Sequence, residues 1–506
     1  MNKVISLEDL KKKIINFKIN KKKIVLCHGT FDLIHLGHLR HFSEAKKYGD
    51  ILVVTITADK YVSKGLNRPF FSTNQRMEAL SHISDIDFIS YVDSSDAIDL
   101  IKYLKPNIYC KGPDYKNFKN DTTGKIYQEI KALKSVNGIL KVTTSETFSS
   151  SKILNDHFEI LNTEQKNIIT KIKTTLKTDV KKLIDNLSDL KVLILGEAII
   201  DKYIYCDPIG KSGKDSILTF KKLSEDCYPG GVLAIARHVS DFVKKITVIT
   251  SVGEKNEYKN LIIKNSNKKN TNFKFFPKNK SSTIVKTRYL DSTSLHKVFG
   301  CYDLDDHSYS KKIDAKILAA LKKEIKLHDL IIVSDYGHGF LSKNISNVLN
   351  KTNNFIALNT QINSSNIGYH GLDKYKNVNL LIINEREIRF ELRDRSSDLK
   401  KIMKKLSLQK NVGFLVVTQG NLGSIMYYKK EDKFYECPAF AGKVVDKVGA
   451  GDAMLALLSL ALRKKFDFNF SLLLGSLSAA QSVESISNST PCNKKIMTKH
   501  LEHILK

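Results

Sequence analysis

Short apolar runs alternate with helical segments through both halves of this 506-residue chain. In the first half the pattern predicts strands at 23–28, 51–56, 88–92 and 108–111, separated by helices at 37–48, 74–81 and 97–104. Strands that are joined through helices form βαβ units, and these units build parallel sheets. The alternation therefore predicts an α/β architecture.

A second series of strands begins at 192–195. It continues near 246–250, 330–334, 355–358, 380–383 and 414–418, and a long helix follows Gly451. Between the two series, 156–189 is lysine-rich, helical in pattern and free of glycine and proline. We therefore predict an N-terminal domain at 1–157, a helical linker at 158–190 and a C-terminal domain at 191–506, each domain with a doubly wound parallel sheet.

Composition narrows the class of protein. The 82 Lys+Arg residues outnumber the 53 Asp+Glu residues and give a net charge of +29, which raises the question of nucleic acid. The lysines are spread over every segment and tryptophan is absent, so we expect a generally basic surface that attracts nucleotides and sugar phosphates rather than a specific nucleic-acid site. No apolar run approaches the ~20 residues of a membrane span, and the N-terminus lacks a signal-peptide core, so we expect a cytoplasmic protein without a membrane partner. The seven cysteines are scattered singly, which predicts reduced, buried thiols.

The first candidate site lies where a predicted strand becomes a helix. The segment from Gly29 to His38 reads Gly-Thr-Phe-Asp-Leu-Ile-His-Leu-Gly-His. Main-chain amides and the dipole at a helix start favour anions, and the imidazoles of His35 and His38 can add hydrogen bonds to phosphate oxygens. Paired histidines also occur as surface residues or metal ligands, but the strand, the Gly-Thr-Phe-Asp turn and the helix together favour a phosphate site.

These residues resemble the HxGH nucleotidyltransferase superfamily, in particular its cytidylyltransferase-like branch. The resemblance runs from Lys23 to about Leu154 and includes Arg68-Pro69, Gln75-Arg76, Lys-Gly-Pro-Asp-Tyr at 111–115 and Ser-Ser-Ser-Lys at 149–152. It implies a Rossmann-like domain in which a substrate phosphate attacks the α-phosphorus of ATP or CTP, with Mg²⁺ present and pyrophosphate leaving. It also implies roles for individual residues: catalysis by His35 and His38, nucleotide and phosphate binding by Thr30, Phe31, Gly37, Arg76, Lys111, Ser149, Ser150 and Ser151, and substrate binding by Asp32.

Two other interpretations of this segment were weighed. The Lys-Gly pair at 111–112 is also consistent with an ordinary loop. Aminoacyl-tRNA synthetases carry a similar histidine signature, but a Lys-Met-Ser-Lys-Ser loop is missing from the sequence and the domain is short for a synthetase.

The second candidate site precedes an apolar helix near the C-terminus. Asp446-Lys-Val-Gly-Ala-Gly-Asp452 is followed by the apolar run 453–462. Small residues at 449–451 allow successive amides to form an anion hole at the helix start, and Asp452 stands where a carboxylate could take a proton from an attacking hydroxyl. Taken alone, Gly-Ala-Gly-Asp is also consistent with a simple helix cap.

This segment resembles the signature of the PfkB/ribokinase sugar-kinase family, and further motifs follow the family's order over 191–486. The nearest resemblance is to the kinase of ADP-heptose synthesis, owing to Ser-Asp-Tyr-Gly at 334–337. It implies a ribokinase-like fold with a small β lid. The resemblance implies that Asp201, Gly230 and Gly231 bind the sugar and that Asp452 is the general base. It implies nucleotide or phosphate contacts by Thr418, Gly420, Gly423, Gly449, Ala450 and Gly451. It also implies Mg²⁺ held through water by Asn384 and Glu387, and a monovalent cation such as K⁺ at Asp446.

Together the resemblances imply a bifunctional enzyme that uses ATP to phosphorylate a sugar or sugar phosphate and then makes an ADP- or CDP-sugar for surface polysaccharide or lipopolysaccharide. Related fused enzymes usually carry the kinase first, whereas the order here is reversed. An alternative is a nucleotidyltransferase with a sugar-binding, regulatory kinase-like half, because Ala234 and Asn359 stand where the family has an asparagine and an aspartate. A homodimer paired through the lid also remains open.

Overall fold

The computed structural model describes residues 3–62, 68–94, 96–113, 125–144, 161–266, 269–305, 307–363 and 365–505. The chain forms two compact units, Met1–Asn162 and Thr163–Lys506. Each unit is described separately below.

The first unit is a five-stranded sheet with helices between the strands. Its strands are β1 (Ile24–Gly29), β2 (Ile51–Thr57), β3 (Phe88–Val92), β4 (Ile108–Lys111) and β5 (Ile139–Val142), in the order β3-β2-β1-β4-β5 and all parallel. Its helices are α1 (Leu7–Ile19), α2 (Leu36–Lys46), α3 (Thr73–Ser81), α4 (Ile98–Leu104) and α5 (Lys125–Lys134), with a 3₁₀ turn at Asp59–Tyr61.

Local sequence signals explain where these helices begin and end. The Ser6 hydroxyl caps α1 by accepting from the Asp9 amide, and Ser72 and Gln75 form a reciprocal capping box at the start of α3. In contrast, α2 begins at His35 without a side-chain cap. The first four residues of the central strand β1 are fully buried, so helices must cover both faces of the sheet there, as an unbroken apolar run requires.

The second unit contains most of the chain. Its main sheet has nine strands: β6 (Lys191–Gly196), β9 (Lys245–Gly253), β10 (Thr271–Lys278), β13 (Leu330–Asp335), β14 (Phe355–Thr360), β15 (Leu380–Asn384), β16 (Phe414–Thr418), β17 (Ser424–Tyr428) and β18 (Lys433–Cys437). The order is β10-β9-β6-β13-β14-β15-β16-β17-β18, parallel up to β16 and antiparallel at the last two strands.

Helices cover this sheet. They are α6 (Thr163–Thr175), α7 (Val180–Asp185), α8 (Val232–Val239), α9 (Lys259–Ser266), α10 (Lys311–Ile325), α11 (Lys343–Leu349), α12 (Glu385–Leu392), α13 (Leu399–Lys410), α14 (Ala450–Arg463), α15 (Phe468–Val483) and α16 (Lys494–Ile504), with 3₁₀ turns at Asn186–Asp189, Gly420–Leu422 and Lys429–Glu431. The predicted connecting segment is helical, and its helices join the second unit: the Gln165 side chain donates to the Ala439 carbonyl, and Lys494 pairs with Asp185. The predicted domain boundaries themselves stay predictions.

A separate four-stranded sheet, the lid sheet, consists of β7 (Ala198–Lys211), β8 (Leu218–Gly231), β11 (Ile284–Asp291) and β12 (Lys297–Asp303), in the order β12-β11-β7-β8. The predicted α/β class, with mostly parallel sheets and a small β lid, is confirmed. Five of the seven cysteines are buried as predicted, but Cys227 is half-buried and Cys301, on lid strand β12, is exposed. Within the described ranges, no helix has the length and apolarity that crossing a membrane requires.

Candidate active sites

The two histidines of the N-terminal motif come together at the start of α2. His35 occupies the N-cap position, and its ring stacks on that of His38 with 3.9 Å between centroids and an interplanar angle of 18°. Both rings are only partly exposed, and Gly37 between them is buried. The structure thus places the predicted catalytic pair beside the main-chain amides of a helix start, where a phosphate is favoured.

The turn before the histidines is held in a strained conformation. Phe31 has a φ of +48°, in the left-handed region that bulky residues rarely adopt, and its ring packs against His38 at 5.3 Å and Phe42 at 5.1 Å. Thr30 is buried, and its carbonyl accepts a hydrogen bond of 2.7 Å from Arg76. Residues in such conformations persist only where their surroundings fix them, and they concentrate at functional sites.

Asp32 lies at this turn but points its carboxylate into the protein. It accepts from the Arg68 guanidinium at 3.0 Å and from the amides of Phe70 and Phe71 at 2.8 and 3.0 Å. The Asp32 and Arg68 side chains are about 5% exposed or less. Asp32 therefore fastens the segment after β2 to the strand-to-helix turn, and its predicted contact with substrate stays a prediction.

Arg76 is almost fully buried. Its guanidinium donates to the carbonyls of Thr30, Thr57 and Phe71 and forms an ion pair of 2.6 Å with Asp59. These bonds hold the turn of the histidine motif against the end of β2, so Arg76 stabilises the fold of the first unit.

Lys111 is also buried, with its ammonium 3.0 Å from Glu129 and 4.9 Å from the centroid of the Tyr109 ring. The phosphate contacts predicted for Arg76 and Lys111 remain predictions, and Ser149, Ser150 and Ser151 lie outside the described residues.

The C-terminal motif forms the start of α14. Gly449 has a φ of +90°, and a Cβ there would overlap the side chain of Asn488, so only glycine fits. Ala450 begins the helix, and nothing lies within 4 Å of a Cβ built on Gly451. The predicted anion-hole residues therefore stand at a helix start with open space above Gly451.

Asp452 lies in the first turn of α14 and is bound by a tyrosine. The Tyr336 hydroxyl donates to its carboxylate at 2.8 Å. Burial raises the pKa of Asp452 to about 7, and the Asp201 charge acts in the same direction, whereas the Tyr336 hydrogen bond and the Lys286 charge oppose the rise. A carboxylate with a pKa near the working pH is suited to general-base catalysis.

The predicted sugar-binding residues lie where the lid sheet meets the main sheet. Asp201 on β7 is buried, and a Cβ on Gly230 would overlap its carboxylate. Gly231 caps α8 with a φ of +58° and leaves 2.6 Å between a built Cβ and the Glu197 carbonyl. The two glycines thus allow β8 to approach both Asp201 and the end of β6 closely.

Two basic residues that the sequence analysis missed face Asp201. Lys286 and Arg288 alternate along β11, and Lys286 is the register partner of Asp201. The Arg288 guanidinium is 2.6 Å from the Asp201 carboxylate. Burial lowers the pKa of Lys286, while the charges of Asp201, Glu197 and Asp452 raise it, so this lysine is close to the proposed base. The signal in the sequence was Lys-Thr-Arg at 286–288, whose period of two places both cations on one face of a strand.

The predicted nucleotide and magnesium motifs lie at neighbouring strand ends. Asn384 ends β15 beside Thr418 at the end of β16. Asn384 and Glu387 form a capping box, in which each side chain accepts from the other residue's amide at 2.9 and 3.0 Å. Burial raises the pKa of Glu387 to about 7, against the amides that stabilise its carboxylate. The side-chain oxygens of Asn384 and Glu387 already accept main-chain amides and keep further lone pairs that can accept hydrogen bonds from water. The two residues therefore fit Mg²⁺ held through water better than direct coordination.

Gly420 and Gly423 form the turn that follows Thr418. Their φ values are +62° and +97°, and the Gln419 amide bonds to the Gly423 carbonyl at 2.8 Å. This turn carries the chain into β17 at the carboxyl edge of the main sheet. In open α/β sheets this edge is the usual ligand-binding side.

The sequence profile of the pfkB family carbohydrate kinases matches residues 189–495, which include every one of these motifs in the second unit. The chain belongs to the pfkB family. A second profile, described as cytidylyltransferase-like, matches residues 26–156. The chain thus combines a cytidylyltransferase-like domain with a pfkB family kinase domain, in that order.

Curated relatives match the N-terminal part of the chain. The bifunctional protein HldE of Campylobacter jejuni is 34% identical over 154 residues, and that of Aliarcobacter butzleri is 36% identical over 127 residues. These matches cover 30% and 24% of this chain, and the chain spans only 31% and 26% of the two relatives. A crystal structure of phosphofructokinase-2 from Escherichia coli in complex with potassium is similar to 63% of this chain and is covered completely, with a TM-score of 0.51 and 12% identity, which shows a shared fold.

The two departures from the kinase pattern occupy ordered positions. Ala234 is completely buried in α8. The Asn359 side chain donates to the Ile382 carbonyl at 2.9 Å, across the strand pair β14 and β15. Both residues therefore support the fold, whatever the domain's catalytic state.

Proposed function

We propose that this chain is a bifunctional enzyme whose second domain transfers the γ-phosphoryl group of ATP to a phosphorylated sugar. The observation that carries the proposal is the position of Asp452, which lies at the helix start beside Gly449 and Gly451 and within the electrostatic influence of Lys286. In the proposed step, the sugar hydroxyl oxygen bonds to the γ-phosphorus, the bond to the bridging oxygen of ADP breaks, and Asp452 takes the hydroxyl proton. Mg²⁺, when bound through water by Asn384 and Glu387, would neutralise phosphate charge.

The substrate is proposed to be a sugar phosphate because the pocket presents paired cations. Lys286 and Arg288 come from the lid sheet and face Asp201, the predicted sugar ligand. A neutral sugar would be bound sufficiently by a carboxylate and main-chain groups, whereas a phosphate dianion requires positive charge. The similarity of the N-terminal part to HldE makes a heptose phosphate the first candidate.

The first domain is proposed to join a sugar 1-phosphate to a nucleotide. Because phosphorylation of a sugar phosphate gives a bisphosphate, a separate phosphatase reaction must hydrolyse the original phosphate ester, releasing inorganic phosphate, before this step. A phosphate oxygen of the sugar attacks the α-phosphorus of ATP or CTP, and pyrophosphate leaves. His35 and His38 lie stacked at the start of α2, where they can donate to oxygens that gain charge in the transition state. An ADP- or CDP-sugar for surface polysaccharide or lipopolysaccharide would be the product.

Two measurements test the proposal separately. ADP release from ATP is measured with a panel of sugar phosphates, using Asp452→Asn as control, and pyrophosphate release is measured with ATP, CTP, GTP and UTP against sugar 1-phosphates, using His35→Ala. We expect each variant to lose its own reaction and keep the other. Equal ADP release from the parent and from Asp452→Asn would instead favour a regulatory, sugar-binding second domain.

A further inference from the structure

The carboxylate of Asp446 forms an ion pair with a lysine side chain of the same chain. Its first oxygen is 2.5 Å from the Lys297 ammonium and accepts from the Val448 amide at 3.1 Å. Its second oxygen accepts from the Tyr203 hydroxyl at 2.6 Å and from the Ser487 amide at 3.2 Å. The Asp446 side chain is 4% exposed.

These contacts do not fit a monovalent cation at Asp446. Such an ion needs oxygen lone pairs directed at it, yet each oxygen of this carboxylate already receives two donors. The Lys297 ammonium, 2.5 Å from one carboxylate oxygen, supplies a positive charge beside Asp446. Lys297 also lies 5.7 Å from the centroid of the Tyr203 ring, which adds a cation–π contact.

The ion pair between Lys297 and Asp446 joins the lid sheet to the segment that precedes the anion-hole residues. Lys297 begins lid strand β12 and Tyr203 lies on lid strand β7, whereas Asp446 precedes the anion-hole residues. Val448 and Ser487, whose amides bind Asp446, are the direct neighbours of Gly449 and Asn488, and a Cβ on Gly449 would meet the Asn488 side chain. The position of this carboxylate is therefore coupled, through these hydrogen bonds, to the backbone that shapes the anion hole.

We propose that the Lys297 ammonium supplies the positive charge at Asp446 in place of a monovalent cation, so that this contact from the lid sheet, rather than K⁺, organises the phosphate-binding loop. An ammonium is a compact point charge and can take the position of an alkali ion beside a carboxylate. The inference rests on the kinase activity proposed above and names Lys297 as a positioning residue for it.

The test compares KCl with choline chloride at constant ionic strength. For the parent protein we expect the rate of ADP release to change less than about twofold between the two salts, because Lys297 already occupies the cation position at Asp446. For Lys297→Met we expect a loss of about tenfold or more in choline that KCl restores in part, with saturation, because the vacated carboxylate can then bind K⁺. Lys221→Met, an exposed lysine on lid strand β8, is the matched control and should behave as the parent does.

Thermal unfolding in the same salts gives a readout that does not need turnover. K⁺ should raise the melting temperature of Lys297→Met and leave the parent unchanged relative to choline, since only a ligand that binds the folded state stabilises it. A parent that requires K⁺ for activity, or whose melting temperature rises specifically with K⁺, would overturn the proposal, as would a Lys297→Met protein indifferent to K⁺ in both measurements. If no ADP forms with any substrate, the kinase proposal fails. The melting experiment then still tests whether Lys297 takes the place of a monovalent cation at Asp446.

Discussion

Replacing Tyr336 by phenylalanine removes the hydroxyl that donates to Asp452 at 2.8 Å and leaves the ring in place. A hydrogen bond to a charged group contributes about 1.5–3 kcal/mol, and one pKa unit corresponds to about 1.36 kcal/mol. The Asp452 pKa, about 7 in the parent, should therefore rise by about one to two units. At pH 7 the ionised fraction then falls from about one half to about one tenth or less, and kcat should fall about fivefold or more.

The assay is ADP release as a function of pH with saturating substrates. We expect the acid limb of the kcat profile to move toward alkaline pH by one to two units in Tyr336→Phe, with most of the parent rate regained on the alkaline plateau. Tyr427→Phe removes a comparable hydroxyl from Asp432, four strands away from β13 in the main sheet, and should leave the profile unchanged. A Tyr336→Phe profile that keeps the parent's midpoint, or that is lowered equally at every pH, would refute the argument that this tyrosine tunes the base.

Three further predictions follow from the geometry. Gly449→Ala should abolish ADP release and lower the melting temperature, because the left-handed conformation costs about 1–2 kcal/mol and the new Cβ meets Asn488; an active, equally stable variant would contradict this. Arg76→Ala should destabilise the first unit to urea by about 3 kcal/mol or more, because it leaves the carbonyls of Thr30, Thr57 and Phe71 without their Arg76 donor, whereas a variant that only loses nucleotide affinity would favour the predicted phosphate role. His35→Ala and His38→Ala should each lower pyrophosphate release by about a hundredfold or more with unchanged melting, and loss of folding instead would identify the stacked pair as structural.

The positions of the most buried strands in the two larger sheets could be predicted because their sequences are unambiguous, whereas β5, β10, β17 and β18 of the same sheets were not predicted. Runs such as 330–334 and 414–418 are continuously apolar, which is typical of strands buried on both faces, and the observed strands differ from the predicted ones by a few residues at most. The lid strands could not be predicted in this way. β12 is exposed along its whole length and β8 along half of it, so their sequences carry no alternation of apolar and polar residues.

Among the site residues, those in contiguous motifs could be predicted from the sequence, whereas their partners from distant segments could not. Residues in contiguous motifs, such as His35 with His38 or Gly449 with Gly451, lie together because one turn of chain connects them. The partners that tune them come from distant segments: Tyr336 is 116 positions from Asp452, and Lys297 is 149 positions from Asp446. Tyr336 reaches Asp452 because β13 ends beside the start of α14, and Lys297 reaches Asp446 because the lid sheet packs against the segment before α14. The spacing of these residues along the chain reveals neither contact.

The buried cations of the two domains differ in how much positive charge they can offer to a phosphate ligand. In the first domain, Arg76 and Lys111 each pair with a carboxylate, so their charges are largely neutralised before any phosphate arrives. In the second, burial lowers the pKa of Lys286, so its charged form carries a desolvation penalty that an incoming dianion would relieve. Binding of a phosphorylated sugar should therefore raise the pKa of Lys286 and be accompanied by proton uptake at alkaline pH, near the lowered pKa of this lysine, whereas an unphosphorylated sugar should not have this effect. This difference would make the preference of the kinase domain for phosphorylated substrates weaken as the pH rises.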